Sequence, residues 1–567
     1  MALGRLVFLL SAAGLVLAAP VVERATPSVT IANGTIKGGT LGKVEFFNEI
    51  PFAQPPVGNL RLRPPQPITS SFGTIDGTTL LPKACPQFYL QTKFDGLGLA
   101  SALGMLLNTP LLQAVTNAGE DCLNLNVARP AGTSPSAKLP VVVWIFGGGF
   151  EVGSSQIYKP ESLIERSISL GAPILFVAIN YRVGGFGFLA GKELAADGST
   201  NLGLRDQRLA LQWVQDNIAA FGGDPTKVTL WGESAGAISI YDHSVINGGD
   251  NTYKGKPLFR GAIMNSGSVA PADPVTAPQA QAVYDQVVAA VGCSGAAKTL
   301  DCLRAADYTK LLNAMNSVPH VLGPKSLALS YVPRPDPSDN FFPESPELAV
   351  NTGKFAKVPL IIGDQEDEGT LFSLFQNNIT TNAELIDYLV SSFPNTPNAK
   401  SLIKDLVATY PDNLGISGSP YGTLLLYNIY PQFKRLAAIL GDVSFTLSRR
   451  VFLAKVASSQ PCWSYLSSYL YGTPVMGTFH ASDILYSFGL LGDNIPTRTI
   501  QTNVISFVNK LDPNALGTSS PLISWPQWTP QKPQLLNMKL LSNSLITDDF
   551  RKESYDVLRN MKNTLRI

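Results

Sequence analysis

Six apolar runs recur along the chain, and each ends in a turn rich in glycine or polar residues. In most of these runs the apolar positions are continuous rather than alternating, which predicts strands covered on both faces, as in a mostly parallel sheet flanked by helices. The runs are PVVVWIFGGG (140–149), PILFVAINY (173–181), KVTLWGES (227–234), GAIMNSGS (261–268), VPLIIGDQ (358–365) and CWSYLSSYL (462–470). Apolar positions at three- and four-residue steps predict a helix over 204–218. The pattern predicts an α/β fold with helix- and loop-rich insertions over 268–358 and 372–460.

A Gly-x-Ser-x-Gly motif lies at the end of one predicted strand. Residues 232–236 have the sequence GESAG, after the strand KVTLW and before the helix-compatible run AGAISIYDH. A strand, a tight turn and a helix form a nucleophile elbow, whose strained backbone exposes the serine hydroxyl at the carboxyl edge of the sheet. Ser234 is therefore the candidate nucleophile; the alternative is an ordinary surface serine in a glycine-rich turn.

A nucleophilic serine needs a general base, and the chain has three histidines. His243 would be carried away from Ser234, because it lies about two turns along the helix that follows the serine. His320 precedes the acidic segment 363–370, so the order serine–acid–histidine excludes it. His480 follows the predicted strand at 462–470 and is the candidate base. The other two histidines are expected to be structural or surface residues.

A run of three glycines, within FGGGF at 146–150, follows the predicted strand VVVWI. Glycines let the backbone approach a substrate carbonyl, and backbone N–H groups stabilise the oxyanion that develops there. The N–H of Ala235, next after the nucleophile, would complete such an oxyanion hole. A plain flexible turn is the alternative, which the position after a strand disfavours.

The acid that would orient the histidine falls in GDQEDEGT (363–370), after the apolar run VPLII. This segment holds four carboxylates, and we expect one or two to point inward because repulsion and desolvation oppose burying all of them. Asp364 lies nearest the strand end. Glu368 has the longer side chain and precedes a glycine that relaxes the backbone. The residues themselves leave Asp364 and Glu368 both open.

Several longer segments resemble the type-B carboxylesterase/lipase family. They are IPFAQPPVGNLRL (50–62), EDCLNLNV (120–127), WIFGGGFEVGS (144–154), NYRVGGFGFL (180–189), NLGLRDQRLALQWVQDNI (201–218) and FGGDPTKVTLWGESAG (221–236). With GDQEDEGT and GTFH (477–480), the similarity covers nearly the whole chain after residue 18. Within the family, the chain resembles the Candida rugosa-like lipases and, most closely, the fungal sterol esterases.

The resemblance implies an α/β-hydrolase fold with a large, mostly parallel central sheet, helical insertions and a disulfide-anchored lid. It also implies ester hydrolysis by a Ser–Glu–His acyl-enzyme mechanism, with neither cofactor nor metal. The implied residues are Ser234 as nucleophile, Glu368 as acid, His480 as base, and Gly148, Gly149 and Ala235 as oxyanion donors. From the resemblance, Glu368 is preferred to Asp364.

Five cysteines and two glycosylation sequons are consistent with an oxidising compartment. Two of the cysteines are close in sequence and are expected to form a bridge that closes a small loop, and a second bridge would then close a larger loop. The sequence alone leaves other pairings open. The pairs favoured in this way, which the resemblance also implies, are Cys293–Cys302 and Cys85–Cys122, with Cys462 as a buried free thiol. The candidate glycosylation acceptors are Asn33 (NGT) and Asn378 (NIT).

The amino-terminal segment has the features of a secretion signal. Arg5 precedes an apolar stretch, 6–17, that is too short to span a bilayer, and Ala18 ends a small-residue cleavage site. We therefore expect a signal peptide over 1–18 and a single catalytic domain over 19–567; the alternative is a buried amino-terminal helix. No later segment has the length of a membrane span.

The composition bears on the partners of the protein. A net charge of +1 gives no indication of nucleic acid or anionic membranes as partners. With 15% charged and 45% hydrophobic residues, the chain is apolar enough to indicate contact with an apolar phase. Residues 96–119, inside the larger predicted disulfide loop, include no charged residue. The resemblance implies a lid at roughly 91–118, although an ordinary core helix is the alternative.

An apolar lid would open against lipid, where its inner face is covered. We therefore expect a secreted, extracellular lipase or sterol esterase acting on steryl esters and triacylglycerols at a lipid–water interface. The same apolar surface permits a homodimer. The alternatives are a soluble carboxylesterase for short-chain or aromatic esters and, less favoured, a non-catalytic binding protein on this fold.

Overall fold

A mixed sheet of eleven strands dominates the computed structural model, which describes residues 26–88, 117–413, 415–517, 519–561 and 565–566. The expected signal peptide and nearly all of the expected lid lie outside these residues. In chain order the strands are β1 (Ser28–Ile31), β2 (Gly34–Lys37), β3 (Gly39–Leu41), β4 (Val44–Pro51), β5 (Gly73–Asp76), β6 (Asn124–Pro130), β7 (Leu139–Ile145), β8 (Leu175–Ile179), β9 (Gly223–Glu233), β10 (Thr252–Tyr253), β11 (Lys256–Pro257), β12 (Gly261–Asn265), β13 (Leu360–Gln365), β14 (Cys462–Ser467), β15 (Gln534–Met538) and β16 (Asn543–Thr547).

The order of the strands in the large sheet is β16-β15-β14-β13-β12-β9-β7-β8-β6-β4-β3. The seven neighbours from β15 to β8 pair in parallel, whereas β16, β6, β4 and β3 pair antiparallel at the two edges. This confirms the predicted α/β fold with a mostly parallel sheet. The sequence did not indicate β3 and β16, which are short and have no buried residue, so they show no continuous apolar run.

Helices cover the sheet and fill the insertions. They are Glu161–Ser169, Gly184–Phe188, Lys192–Asp197, Leu202–Asn217, Ala235–Val245, Pro278–Val291, Thr299–Ala305, Tyr308–Met315, Pro346–Thr352, Asn382–Ser391, Ala399–Ala408, Phe433–Gly441, Leu447–Val456, Asp483–Ser487, Ile495–Lys510 and Lys552–Met561. The predicted helix over 204–218 is Leu202–Asn217, continued by a 3-10 turn. No helix of the described ranges is long and apolar enough to cross a membrane.

Two adjacent central strands carry large aromatic residues at the same level of the sheet. Trp144 of β7 lies opposite Trp231 of β9, and their rings meet edge to face with centroids 5.1 Å apart. Both side chains are fully buried. Such an aromatic pair contributes about 0.5–1.5 kcal/mol beyond the burial of its area. The packing fixes β7 against β9, and therefore fixes the segments that follow these two strands relative to each other.

The cysteine pairing corresponds to the expectation from sequence. The structure contains the bridges Cys85–Cys122 and Cys293–Cys302, and Cys462 is a buried free thiol at the start of β14. Cys85–Cys122 joins the two ends of the segment that holds the expected lid. Burial raises the pKa of the Cys462 thiol to about 12, and the thiol donates a hydrogen bond to the Gln460 carbonyl at 3.4 Å.

Candidate active site

Ser234 occupies a sharp turn between β9 and the helix Ala235–Val245. Its backbone angles, φ +54° and ψ −123°, are strained for a residue with a side chain, which costs on the order of 1–3 kcal/mol. The turn also requires Gly236, because a Cβ there would lie 2.0 Å from the carbonyl oxygen of Ile145. This is the geometry of the nucleophile elbow that the sequence predicts.

His480 lies between Ser234 and Glu368 and contacts both. Its Nε2 is 2.8 Å from the Ser234 hydroxyl oxygen, and its Nδ1 is 2.5 Å from Glu368 Oε2. The other carboxylate oxygen, Oε1, accepts a hydrogen bond from the Gln365 backbone N–H at 2.7 Å. All three side chains are buried. A hydrogen-bonded series therefore runs from the acid through the imidazole to the hydroxyl.

Parallel strands explain why residues so far apart in sequence meet. Ser234 follows β9, Glu368 follows β13 and His480 follows β14, and all three strands end at the same edge of the sheet. The loops after β13 and β14 are also joined directly. The Asp367 N–H donates to the Thr478 carbonyl at 2.9 Å, and the Thr478 N–H donates to Asp367 Oδ2 at 2.9 Å.

The acidic segment differs from the sequence expectation in one respect. We expected one or two inward carboxylates, but Asp364, Asp367 and Glu368 are all buried, so that expectation is wrong. Each has its own partners, which offset its desolvation. Asp364 accepts a hydrogen bond from Arg449 Nε at 2.7 Å and does not contact His480. Asp367 also accepts from the Ser419 hydroxyl at 2.7 Å.

The electrostatics of the histidine involve a residue that the sequence reasoning missed. Glu233 Oε1 lies 3.2 Å from His480 Nε2 and has no hydrogen-bond partner among the described residues. Burial raises the pKa of Glu233 to about 8. Burial acts to lower the pKa of His480, but Glu233 and Glu368 outweigh it and raise this pKa to about 9. The sequence feature that could have identified Glu233 is its position inside the motif GESAG, directly before Ser234.

The glycine run that follows β7 lies beside the serine. Gly148 and Gly149 have φ values of +111° and +63°, and a Cβ on Gly148 would lie 2.2 Å from the Val152 carbonyl oxygen. Side chains are therefore excluded from this turn. Gly148, Gly149 and Ala235 line the same cavity as Ser234 and His480. The structure thus brings the three expected oxyanion donors to the wall that carries the hydroxyl.

The cavity at this site has a volume of about 320 Å³, and its walls are mainly apolar. Residues from both insertions contribute to it, among them Val321, Leu329, Phe393, Ile403, Leu406 and Phe445. A buried apolar space beside a reactive hydroxyl is suited to an extended hydrocarbon group.

The other two histidines are buried away from the serine. His243 Nε2 is 2.9 Å from Gln207 Oε1, and His320 Nδ1 is 2.7 Å from the Val321 carbonyl. At the sequons, Asn378 is exposed, whereas the amide of Asn33 donates to the Ile68 carbonyl at 3.2 Å. Glycosylation at both asparagines stays a prediction.

The chain is similar to known proteins over nearly its whole length. A model of the carboxylesterase family matches residues 25–558. Secreted lipase 1 of Botryotinia fuckeliana is 59% identical over 546 residues, covering 95% of this chain and 94% of that protein. The secreted triacylglycerol lipase LIP1 of Gibberella zeae is 51% identical over 547 residues, covering 95% and 92%.

The solved structure of Aspergillus niger EstA is similar as well, with a TM-score of 0.78 at 26% identity; the match covers 96% of this chain and 99% of that one. These similarities confirm the family that the sequence segments indicate. The chain therefore belongs to the carboxylesterase family and is a carboxylic ester hydrolase.

Proposed function

We propose that the protein is a secreted lipase that hydrolyses long-chain carboxylic esters, including triacylglycerols and steryl esters. The observation that carries the proposal is the series Ser234–His480–Glu368, whose serine and histidine line an apolar cavity. The two relatives named as secreted lipases support both the substrate class and export. The signal peptide over 1–18 and a single catalytic domain over 19–567 are part of the proposal.

Acylation begins with attack of the Ser234 hydroxyl oxygen on the ester carbonyl carbon. His480 Nε2 accepts the hydroxyl proton as the new O–C bond forms. The negative charge on the carbonyl oxygen is stabilised by the backbone N–H groups of Gly148, Gly149 and Ala235; the loss of one such donor slows an enzyme by about 10²–10³-fold. Collapse of the intermediate breaks the bond to the alcohol, which takes the proton from Nε2.

Deacylation repeats these steps with water. His480 Nε2 accepts a proton from the water as its oxygen attacks the acyl carbon, and the bond to Ser234 breaks. The serine oxygen recovers the proton, and the free acid leaves. Glu368 accepts a hydrogen bond from Nδ1–H of His480 throughout, which keeps the Nε2 lone pair directed at the hydroxyl and stabilises the imidazolium form.

Exposed apolar surface supports action at a lipid interface. The leucines at 424–426 are consecutive and each is more than half exposed. Isolated surface leucines are common, but three in one loop form an apolar patch of the kind that contacts lipid or protein. The lid at roughly 91–118 and a homodimer through its apolar residues are part of the proposal.

A substrate panel tests the proposal. Purified protein is assayed on triolein, cholesteryl oleate, tributyrin and p-nitrophenyl butyrate, below and above the concentration at which each forms an emulsion. We expect hydrolysis of triolein and cholesteryl oleate that rises when an interface forms. Hydrolysis of the short esters alone would favour a soluble carboxylesterase.

Covalent labelling separates the enzyme from a non-catalytic binding protein. A p-nitrophenyl alkylphosphonate should modify Ser234 with release of one p-nitrophenolate, and mass spectrometry of the peptides should locate the label. Ser234→Ala is the matched control and should remain unlabelled. A folded wild-type protein without label would reject the catalytic assignment.

A further inference from the structure

The helix that begins after Ser234 places an acidic residue, Asp242, among those that line the cavity. Ala235, Ile238 and Asp242 are three and four residues apart, so they share one face of the helix Ala235–Val245. All three line the cavity that contains the serine hydroxyl. Asp242 is therefore a polar group placed among apolar walls, away from the series Ser234–His480–Glu368.

The carboxyl group of Asp242 has no hydrogen-bond partner in the described ranges. The side chain is 1% exposed, and neither Oδ1 nor Oδ2 contacts a donor or acceptor there. Buried polar groups in folded proteins nearly always have such a partner, so an unpaired carboxyl on a ligand cavity points to a polar group of the ligand. By contrast, Asp364 and Asp367, which are equally buried, both accept hydrogen bonds from the protein.

The protonation of Asp242 determines what it can bind. Burial raises the pKa of this carboxyl well above its usual range. A neutral carboxylic acid both donates a hydrogen bond, through its O–H, and accepts one, through its carbonyl oxygen. Such a group pairs with a hydroxyl or a carbonyl oxygen, whereas it gains little from a hydrocarbon segment.

The position of Asp242 along the helix indicates where on an acyl chain this oxygen would lie. Asp242 follows Ser234 by eight residues, which at about 1.5 Å per residue is roughly 12 Å along the helix axis. An extended chain advances ~1.25 Å per carbon, given C–C bonds of about 1.5 Å at an angle of about 111°. An acyl group on Ser234 that follows this face would therefore pass Asp242 near its tenth carbon.

We propose that Asp242 binds a hydroxyl or oxo group in the middle of the acyl chain, so that the enzyme prefers oxygenated long-chain esters to plain ones. The inference rests on the proposed function, because the acyl chain must occupy this cavity. Asp242 acts here as a specificity residue; it does not contact the reacting atoms.

The test compares three p-nitrophenyl esters that differ in one oxygen: stearate, 10-hydroxystearate and 16-hydroxystearate. For the full-length wild-type protein, we expect kcat/KM on the 10-hydroxy ester to exceed that on stearate by about fivefold, the typical net effect of one neutral hydrogen bond. The 16-hydroxy ester should show no such advantage. No preference for the 10-hydroxy ester over the other two would overturn the inference.

Two substitutions assign the preference to Asp242. Asp242→Leu removes the polar atoms, so the ratio of kcat/KM for the 10-hydroxy ester to that for stearate should fall to about one. Asp242→Asn keeps a donor and an acceptor and should retain most of the ratio. Leu406→Met changes the same cavity without changing its polarity and is the matched control. An unchanged ratio in Asp242→Leu would overturn the inference.

The same experiment distinguishes failure of the inference from failure of the proposed function. If none of the long-chain esters is hydrolysed by the wild-type protein, while p-nitrophenyl butyrate is, then the lipase assignment fails and the inference fails with it. If stearate is hydrolysed without any hydroxyl preference, the lipase assignment stands and the role of Asp242 is refuted. If Asp242→Leu does not fold, the wild-type protein still shows whether the 10-hydroxy ester is preferred over stearate. Asp242→Asn then shows whether that preference survives when a donor and an acceptor are kept.

Discussion

Glu368 and Asp364 lie four residues apart in one acidic segment. Replacing each by its amide tests the proposal that Glu368, and not Asp364, is the acid of the catalytic series. Glu368 has both oxygens engaged: Oε2 faces His480 Nδ1 at 2.5 Å, and Oε1 accepts the Gln365 N–H at 2.7 Å. The amide group of Glu368→Gln must occupy one of these two positions.

Either orientation of that amide is unfavourable. If the NH₂ group faces His480, it donates to Nδ1, which moves the ring proton to Nε2 and leaves no lone pair for the Ser234 hydroxyl. If it faces Gln365 instead, two donors oppose each other in a buried site. The variant also loses the negative charge that stabilises the imidazolium. We expect kcat to fall by about 10³–10⁴-fold, which corresponds to roughly 4–5.5 kcal/mol in the activation free energy.

Asp364→Asn is the matched control, because it makes the same chemical change at a buried acid that contacts Arg449 and not His480. We expect its kcat to remain within tenfold of wild type. The assay is hydrolysis of p-nitrophenyl butyrate at pH 8, with turnover counted per folded molecule from circular dichroism. A larger loss of turnover in Asp364→Asn than in Glu368→Gln would refute the assignment of the acid.

Three further predictions follow from other parts of the structure. Glu233→Gln removes a carboxyl that favours the charged imidazole, so the pKa of His480 should fall and the rising limb of kcat/KM against pH should move to lower pH by about one unit. Replacing both Cys85 and Cys122 by serine opens a 37-residue loop, and urea titration should show unfolding free energy lower by about 4 kcal/mol. Leu425→Ser reduces the exposed apolar patch and should lower the rate on triolein emulsions more than the rate on dissolved p-nitrophenyl butyrate; equal losses would contradict an interfacial role.

The strands that the sequence predicts are those whose burial gives them a continuous apolar run. The central strands β7, β8, β9, β12, β13 and β14 are covered on both faces, so each appears as a continuous apolar run. Their common direction placed Ser234, Glu368 and His480 at one edge of the sheet. Edge strands such as β3 and β16 are partly exposed and short, and their mixed composition does not distinguish them from loops.

The acidic segment shows that a sequence pattern is insufficient to predict how many carboxylates are buried. Counting charges in GDQEDEGT predicted one or two inward carboxylates, since repulsion was visible in the sequence but the compensating groups were not. Those groups come from distant parts of the chain: Arg449 for Asp364, and Ser419 and the Thr478 N–H for Asp367.

Asp242 differs from these acids, because it is buried without a hydrogen-bond partner in the described chain. It lies in AGAISIYDH, where an acid near the end of an apolar helix suggests an ordinary solvated residue. In the folded structure its carboxyl is buried and has no hydrogen-bond partner within the described chain. The energy of a buried acid depends on its partners more than on its neighbours in sequence. Asp364, Asp367 and Glu368 each accept at least one hydrogen bond within the described chain, whereas neither oxygen of Asp242 does, and this contrast points to the ligand.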